Sequence, residues 1–493
     1  MPPFVAGFLV FTTSAAILIL EILAGRLLAP YVGDTLETYS GVIGTVLAGI
    51  ALGTWAGGRL ADRIDPRRLI GPLLVAGGVL AIVAVPVVRT VGQVGGGQVE
   101  MVLLLSGLGF FPTAAVLSAV SPVVVKLELH DLAVTGQIVG RISALGTAGA
   151  IIGTFLAGFV LIGAAPTSVT IVVIGSLLIV GGLVAWVLLD RLRWGSAGAV
   201  AVAVLAGFGL GAVVDDPCEV ETTYHCARVA PDPDRPTGQV LWLDTLRHSY
   251  VDEADPAHLE FAYTQLFAAA TDAFFPTDSA LDALHVGGGA FTMPRWLQAT
   301  RPDTSSVVLE IDDGLVDLVD EQLPPPTDVD LEVRLGDGRR LVLEVPDASQ
   351  DIVYGDAFGG LAAPWHLTTE EFVTEVHRVL RPGGIYVANL IDRPPLRFTR
   401  SEAATFAEVF AHVAVIAPAA TIEGRSGSNV VVLASDDEIP VAALEAAVAA
   451  RGLDDVVLTG ADLEAFVDDA PVLTDDYAPI DQWLASSATG TAG

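Results

Sequence analysis

The stretch LDALHVGGGAFTMPRWL, residues 281–297, passes from an apolar, strand-like run through three consecutive glycines into a helix-like run. Glycines at that junction permit a tight turn and let a ligand approach the backbone, so Gly287, Gly288 and Gly289 are candidate cofactor contacts. About twenty residues on, SSVVLEID ends in Glu310 and Asp312. A carboxylate at the end of a second strand can accept both ribose hydroxyls of a nucleoside. LEVRLGDGRRL then places Asp337 between glycines, ahead of Gly338, where its carboxylate either takes an adenine amino group or closes an ordinary turn. DIVYGDAFGG delivers Asp356 to the end of an apolar strand, in the crevice where open α/β sheets bind ligands, and an aspartate there can deprotonate an amine nucleophile. EFVTEVHRVLRPGGIYVANLI reads as helix, Pro-Gly-Gly turn and strand. Strands alternating with helices to about residue 390 predict a doubly wound, Rossmann-like α/β domain.

Upstream, TTYHCARVA and QVLWLDTLRHSYV alternate as strands do, with DPDRPTG between them, and predict a small β-hairpin unit. A helix is predicted over about 257–274. Charge divides the chain more sharply. Residues 1–214 carry 10 Lys+Arg against 9 Asp+Glu, and residues 215–493 carry 15 against 49, so the net charge of −33 sits in the second part. The expected organisation is a transmembrane domain over 1–214, a small β unit with linker over 215–256 and the α/β domain over 257–493. An acidic surface of this kind excludes nucleic acid as a partner, because phosphates require a basic face.

Seven apolar windows are long enough to cross a bilayer: about 4–28, 38–58, 69–89, 100–125, 137–162, 167–189 and 197–214. The first is too long, and lacks the small-residue cleavage site, to be a removable signal peptide. It contains Glu21 and Arg26, which form either an internal ion pair or a polar site. Eight basic residues fall in or beside the even-numbered gaps and two beside the odd ones, which places the N-terminus in the cytoplasm. Seven spans would then put everything after residue 214 outside the cytoplasm, in a multi-pass protein of the cell membrane. Cys218 and Cys226, eight residues apart just after the last window, suit a local disulfide in an oxidising compartment. With His225 they fall short of a metal-ligand set, so no metal is expected.

Together the glycine loop, Glu310, Gly336-Asp337-Gly338 and Asp356 resemble the spermidine synthase (polyamine aminopropyltransferase) family, in its membrane-fused form. The resemblance covers most of residues 240–395 and the C-terminal LTDDYAPID. In the membrane part it extends to EILAGRLLAPYVG and to GGRLADR, which is similar to a loop of major facilitator transporters. It implies that decarboxylated S-adenosylmethionine, or S-adenosylmethionine, lies against Gly287, Gly288, Gly289, Glu310, Asp337 and Gly338, with Asp356 as base toward a small-molecule amine. Leu243-Asp244 and His258 fit the family's entry segment, and His248 stands where a glutamine is usual, making both histidines candidate substrate contacts. Asp351 and Asp356 keep the family's five-residue step.

Two positions depart from the family pattern. The loop aspartate that helps hold the aminopropyl amine is Ala290 here, followed by Phe291, and the second aspartate of the catalytic strand is Gly359. A buried ammonium without a compensating carboxylate is poorly held. Glu370, Glu371 and Asp392 are candidates to replace the missing charge. Three functions follow: an aminopropyl transfer of polyamine biosynthesis, an S-adenosylmethionine-dependent methyl transfer, or an inactive polyamine- or nucleoside-binding domain coupled to a transporter-like membrane half. The expected partners are the lipid bilayer, an amine and a second copy in a homodimer.

Overall fold

The structure, a computed structural model, describes residues 2–33, 35–94, 98–129, 131–190, 216–327, 329–359 and 363–488. The seventh apolar window and the arginines at 191 and 193 lie outside the described residues. The chain forms two compact units, Met1–Cys226 and Ala227–Gly493.

The first unit is helical. Among the described residues, six of its segments are long and apolar enough to cross a membrane: Pro3–Val32, Leu36–Arg63, Pro66–Gly92, Phe111–Glu128, Thr135–Ala164 and Thr167–Leu189. The single window expected over 100–125 is instead broken into helices Gln98–Gly109, Phe111–Ser118 and Val120–Glu128. Pro112 is one cause, since it has no N–H to give the carbonyl four residues back. Helix Leu36–Arg63 meets the second of these pieces on a glycine face: a Cβ on Gly49 would stand 2.8 Å from the Phe111 carbonyl oxygen, so backbones approach as closely as side chains normally do.

Arg26 does not pair with Glu21. Its guanidinium donates to the carbonyls of Thr223 at 2.6 Å and Thr222 at 2.9 Å, so the ion-pair reading of EILAGR gives way to an arginine that ties down a loop. That loop is closed by a Cys218–Cys226 disulfide. Arg89 pairs with Asp216, and Glu221 accepts a 2.8 Å bond from the Ser168 hydroxyl at the start of helix Thr167–Asp190. The segment from residue 216 is thereby held to three helices of its own unit.

A short strand, β1 (Val220–Glu221), closes the first unit. The second unit opens with an antiparallel meander of β2 (Cys226–Pro231), β3 (Gly238–Leu243) and β4 (Leu246–Asp252). Beyond helix Ala262–Phe274 comes an eight-stranded sheet of order β12-β10-β11-β9-β8-β5-β6-β7. Its strands are β5 (Asp282–Val286), β6 (Ser305–Glu310), β7 (Asp330–Leu335), β8 (Gln350–Gly355), β9 (Leu380–Asp392), β10 (His412–Pro418), β11 (Ser428–Ser435) and β12 (Asp455–Leu458). β5 to β9 are parallel, as the alternation implies, and run outward in both directions from the β5/β8 pair. β11 and β10 then add antiparallel pairing that the reading to residue 390 did not include.

Alternate side chains of this sheet enter two cores. Ile352, Tyr354, Ile385 and Val387 pack with helices Ala262–Phe274 and Thr292–Thr300, and Val353, Tyr386 and Ala388 pack with helices Glu370–Val379 and Arg397–Val409. One ion cluster sits in the first core: Asp272 accepts from both the fully buried Arg301 and Arg451. Removing one partner of a buried pair leaves an uncompensated charge. Asp272→Ala should therefore destabilise this unit by about 3 kcal/mol, read as a lower denaturant midpoint of the full chain.

Candidate active site

The chain reverses direction across the sheet between β5 and β8, and the loops leaving those two strands meet. Asp356 donates its backbone N–H to the Val286 carbonyl at 2.9 Å, and Gly287 donates to Leu309 at 2.9 Å, which stitches together the ends of β8, β5 and β6. Gly287 has φ +95°, and a Cβ there would stand 2.5 Å from the Asp356 carbonyl oxygen. Glycine is thus required twice, by conformation and by space. Gly289, at φ +51°, faces Ser249 of β4, with His248 Nδ1 3.6 Å from where its Cβ would be. The sequence-predicted His248 therefore does lie against the glycine loop.

Glu310 closes the loop from the other side. One carboxylate oxygen accepts the Gly288 N–H at 2.8 Å, and the other accepts those of Ile311 at 2.9 Å and Asp312 at 3.0 Å. The carboxylate is buried yet fully oriented, fixed at the end of β6 where a ribose would need it. Asp337 caps the helix starting at Gly338: its carboxylate accepts the Arg339 N–H at 2.8 Å and lies 3.5 Å from His366 Nε2. Both sequence readings of Asp337 survive, since the turn is real and the side chain is only half-buried. A Cβ on Gly338 would stand 3.1 Å from Val286, which brings this turn against the end of β5.

Asp356 is held by two residues that sequence reading missed. Tyr263 donates its hydroxyl to one carboxylate oxygen at 3.0 Å, and Asn389 donates its amide to the other at 2.9 Å. Asn389 in turn accepts a 2.9 Å bond from Asn429. Tyr263 looks in the sequence like one more core position on the helix, and Asn389 is a polar residue in an apolar strand whose partner is forty residues away. The cue that was available is a lone Asn inside YVANLI. Burial pushes the Asp356 carboxyl up to about 7, against the lowering effect of its two donors.

The remaining candidates scatter. His258 pairs with Glu260 at 3.2 Å and packs edge-on to Tyr250. Asp351 accepts from the Asp282 N–H at 2.8 Å and pairs with Arg381, at the opposite end of β8 from Asp356. Asp244 makes the turn between β3 and β4 at φ +51°. Ala290 and Phe291 are completely buried, so no carboxylate reaches the crevice from that loop. Gly359 is exposed. Among the proposed replacements, Asp392 is committed to capping helix Arg397–Val409 through two 2.9 Å bonds from Thr399, and Glu371 accepts the Asp475 N–H at 3.0 Å. The acid nearest in lining is one that sequence reading passed over. Glu402, buried with Oε2 unpartnered, shares a small cavity with Gly355, Ala357, Thr368 and Asn389, and burial holds its carboxyl well above the usual range.

The Asp356 shift carries a sign for stability. A carboxyl whose pKa is raised on folding stabilises the folded state below its unfolded value, near 4, and that contribution is lost as pH rises toward 7. Asp356→Asn should therefore raise the melting temperature relative to the parent at pH 8, with the gain shrinking to nothing near pH 4.

Residues 284–388, from within β5 to within β9, match a family model described as a methyltransferase domain. A probable polyamine aminopropyl transferase of Bifidobacterium longum is 33% identical over 113 residues, 23% of this chain and 25% of that protein. The polyamine aminopropyltransferase of Chromobacterium violaceum is 29% identical over 151 residues, 30% of this chain and 56% of that protein. The chain thus spans a quarter to about half the length of these curated relatives. A probable spermidine synthase from Corynebacterium glutamicum, of known crystal structure, is 30% identical and matches 52% of this chain and 95% of its own, with a TM-score of 0.49. Over its C-terminal part, on a Rossmann-like fold, the chain is homologous to the spermidine synthases.

Proposed function

We propose that the second unit transfers an aminopropyl group from decarboxylated S-adenosylmethionine to an amine. The observation that carries the reading is Asp356 poised by Tyr263 and Asn389 beside the glycine loop, with a carboxyl near 7. Such a group takes a proton from an ammonium and gives it up again near neutrality. The co-substrate supplies the electrophilic carbon: the amine lone pair forms the new C–N bond as the C–S bond breaks, and that electron pair leaves on sulfur as a neutral thioether. Gly288 and Glu310 hold the adenosyl end in this reading, Asp337 takes the adenine edge, and Asp356 receives the proton displaced from nitrogen. Alignment of the two reactants supplies most of the acceleration, and the chain needs no further acid for a leaving group that departs uncharged.

Methyl transfer from S-adenosylmethionine is the second reading. It is favoured by the methyltransferase-domain match and by Ala290, which removes the loop carboxylate that the resemblance assigns to the aminopropyl amine. Incubation of the purified full chain with each sulfonium donor and with putrescine separates the two. Aminopropyl transfer predicts spermidine and methylthioadenosine, a rate that rises with pH through about 7, and a loss of at least about 100-fold in Asp356→Asn. Methylated amine with S-adenosylmethionine instead would replace this reading with the second. No product from either donor, with polyamine still bound, would leave a binding module.

We also propose that the six apolar helices span a membrane and that, with the seventh apolar window read from the sequence at 197–214 counted as a further span, the second unit lies outside the cytoplasm. Support comes from the Cys218–Cys226 disulfide, which persists in an oxidising compartment, and from the basic residues of the even-numbered gaps. After mild reduction of intact cells, an impermeant thiol reagent should label both cysteines. Labelling only after the membrane is opened would reverse the orientation.

A further inference from the structure

Glu21 stands in the middle of helix Pro3–Val32, in a window otherwise free of charge until Arg26. The nearest basic side chain along the helix, Arg26, directs its donors to the carbonyls of Thr222 and Thr223. Glu21 is partly buried, and its Oε2 is buried with no hydrogen-bond partner among the described residues. It faces a small cavity lined by Ile17 and Leu20 of the same helix, Val46 of helix Leu36–Arg63, and Phe110, Thr113 and Ala114. Among the described residues no other ionisable group lines that cavity, which has room for about one water-sized group.

The opposite wall is the break between helices Gln98–Gly109 and Phe111–Ser118. Pro112 withholds an N–H from the Leu108 carbonyl there, and Thr113 offers a hydroxyl oxygen whose own bond to the Gly109 carbonyl is long, at 3.5 Å. An acid without a base, a hydroxyl oxygen and an interrupted helix around a water-sized space are the elements from which helical membrane proteins build cation sites. Left alone, a carboxylate in these surroundings is costly, and a single positive charge of water size removes that cost.

We propose that Glu21 and the helix break opposite it form a binding site for one small monovalent cation within the helix bundle. The inference rests on the reading of the six helices as membrane spans, and is independent of the chemistry at Asp356. Sodium and ammonium share the required charge and size.

Dicyclohexylcarbodiimide, which modifies carboxyl groups in apolar surroundings, is the probe, applied to the full chain in lipid nanodiscs, with modification of Glu21 read by peptide mass spectrometry. Glu21 should be modified, and at fixed pH sodium or ammonium chloride should slow the reaction about tenfold relative to choline chloride. Slowing by raised pH alone, with no salt effect, is what any titrating carboxyl shows with this reagent and overturns the site. Ala114→Leu, which fills the cavity while keeping the carboxyl, should remove the protection, so the test does not depend on how Glu21→Gln folds. An unmodified Glu21, or a rate indifferent to salt and pH, overturns the site. Alkaline carbonate extraction run alongside reports separately whether the helices hold the chain in a bilayer.

Discussion

The hydrogen bond from the Gly288 N–H to Glu310 is the contact on which the candidate site depends. It joins the loop after β5 to the end of β6, while Gly287 lies so close to the Asp356 backbone that the loop after β8 is fixed by the same turn. Three strand ends converge because two glycines leave no side chain between them. The carboxylate that would hold a ribose and the one that would take a proton are therefore positioned by one piece of backbone. Their supporting residues, Tyr263 and Asn389, come from the helix before the sheet and from β9, so the geometry at Asp356 is only as rigid as the packing of those elements.

Much of this was legible in the sequence. Strand, glycine loop and helix give a parallel sheet its first turn, and the spacing to Glu310, Asp337 and Asp356 places three carboxylates at the ends of successive strands. Local pattern carries that information because β5 to β8 are parallel strands with short connections. What escaped was non-local. Tyr263 and Asn389 obey the apolar period of their own elements closely enough to pass as core, and their partner is 93 and 33 residues away respectively. Glu402 hid for the opposite reason, since a charged residue on an amphipathic helix reads as solvent-facing until the cavity behind it is seen. The antiparallel β9-β11-β10 end of the sheet escaped because its strands follow helices much as parallel strands do. In the helical unit, hydropathy found the apolar helices but not the break at Phe110, because proline in an apolar run barely alters an average.

The two departures at Ala290 and Gly359 acquire different physical meanings. Ala290 is completely buried, with its N–H donated to the Ser249 hydroxyl, so that corner of the crevice carries no charge. Gly359 is exposed, and its loop has simply lost a charge. An acceptor held by Asp356 alone needs one ammonium; one held at two ends needs a second acid, and Glu402 is the buried carboxyl that shares a cavity with the residues flanking Asp356. Under the proposed reading, substrate choice would turn on these few side chains, while Gly288 and Glu310 stand apart from them.

That separation makes nucleoside binding the most direct test of the account. Calorimetric titration of the full chain with methylthioadenosine, the thioether left after transfer, isolates the crevice from the question of which amine is used. The account predicts saturable binding with one site per chain, weakened by about 1.5–3 kcal/mol in Glu310→Gln, the range for losing a charged hydrogen-bond partner. Failure to bind, or binding unchanged by Glu310→Gln in a chain of unaltered melting temperature, would contradict it.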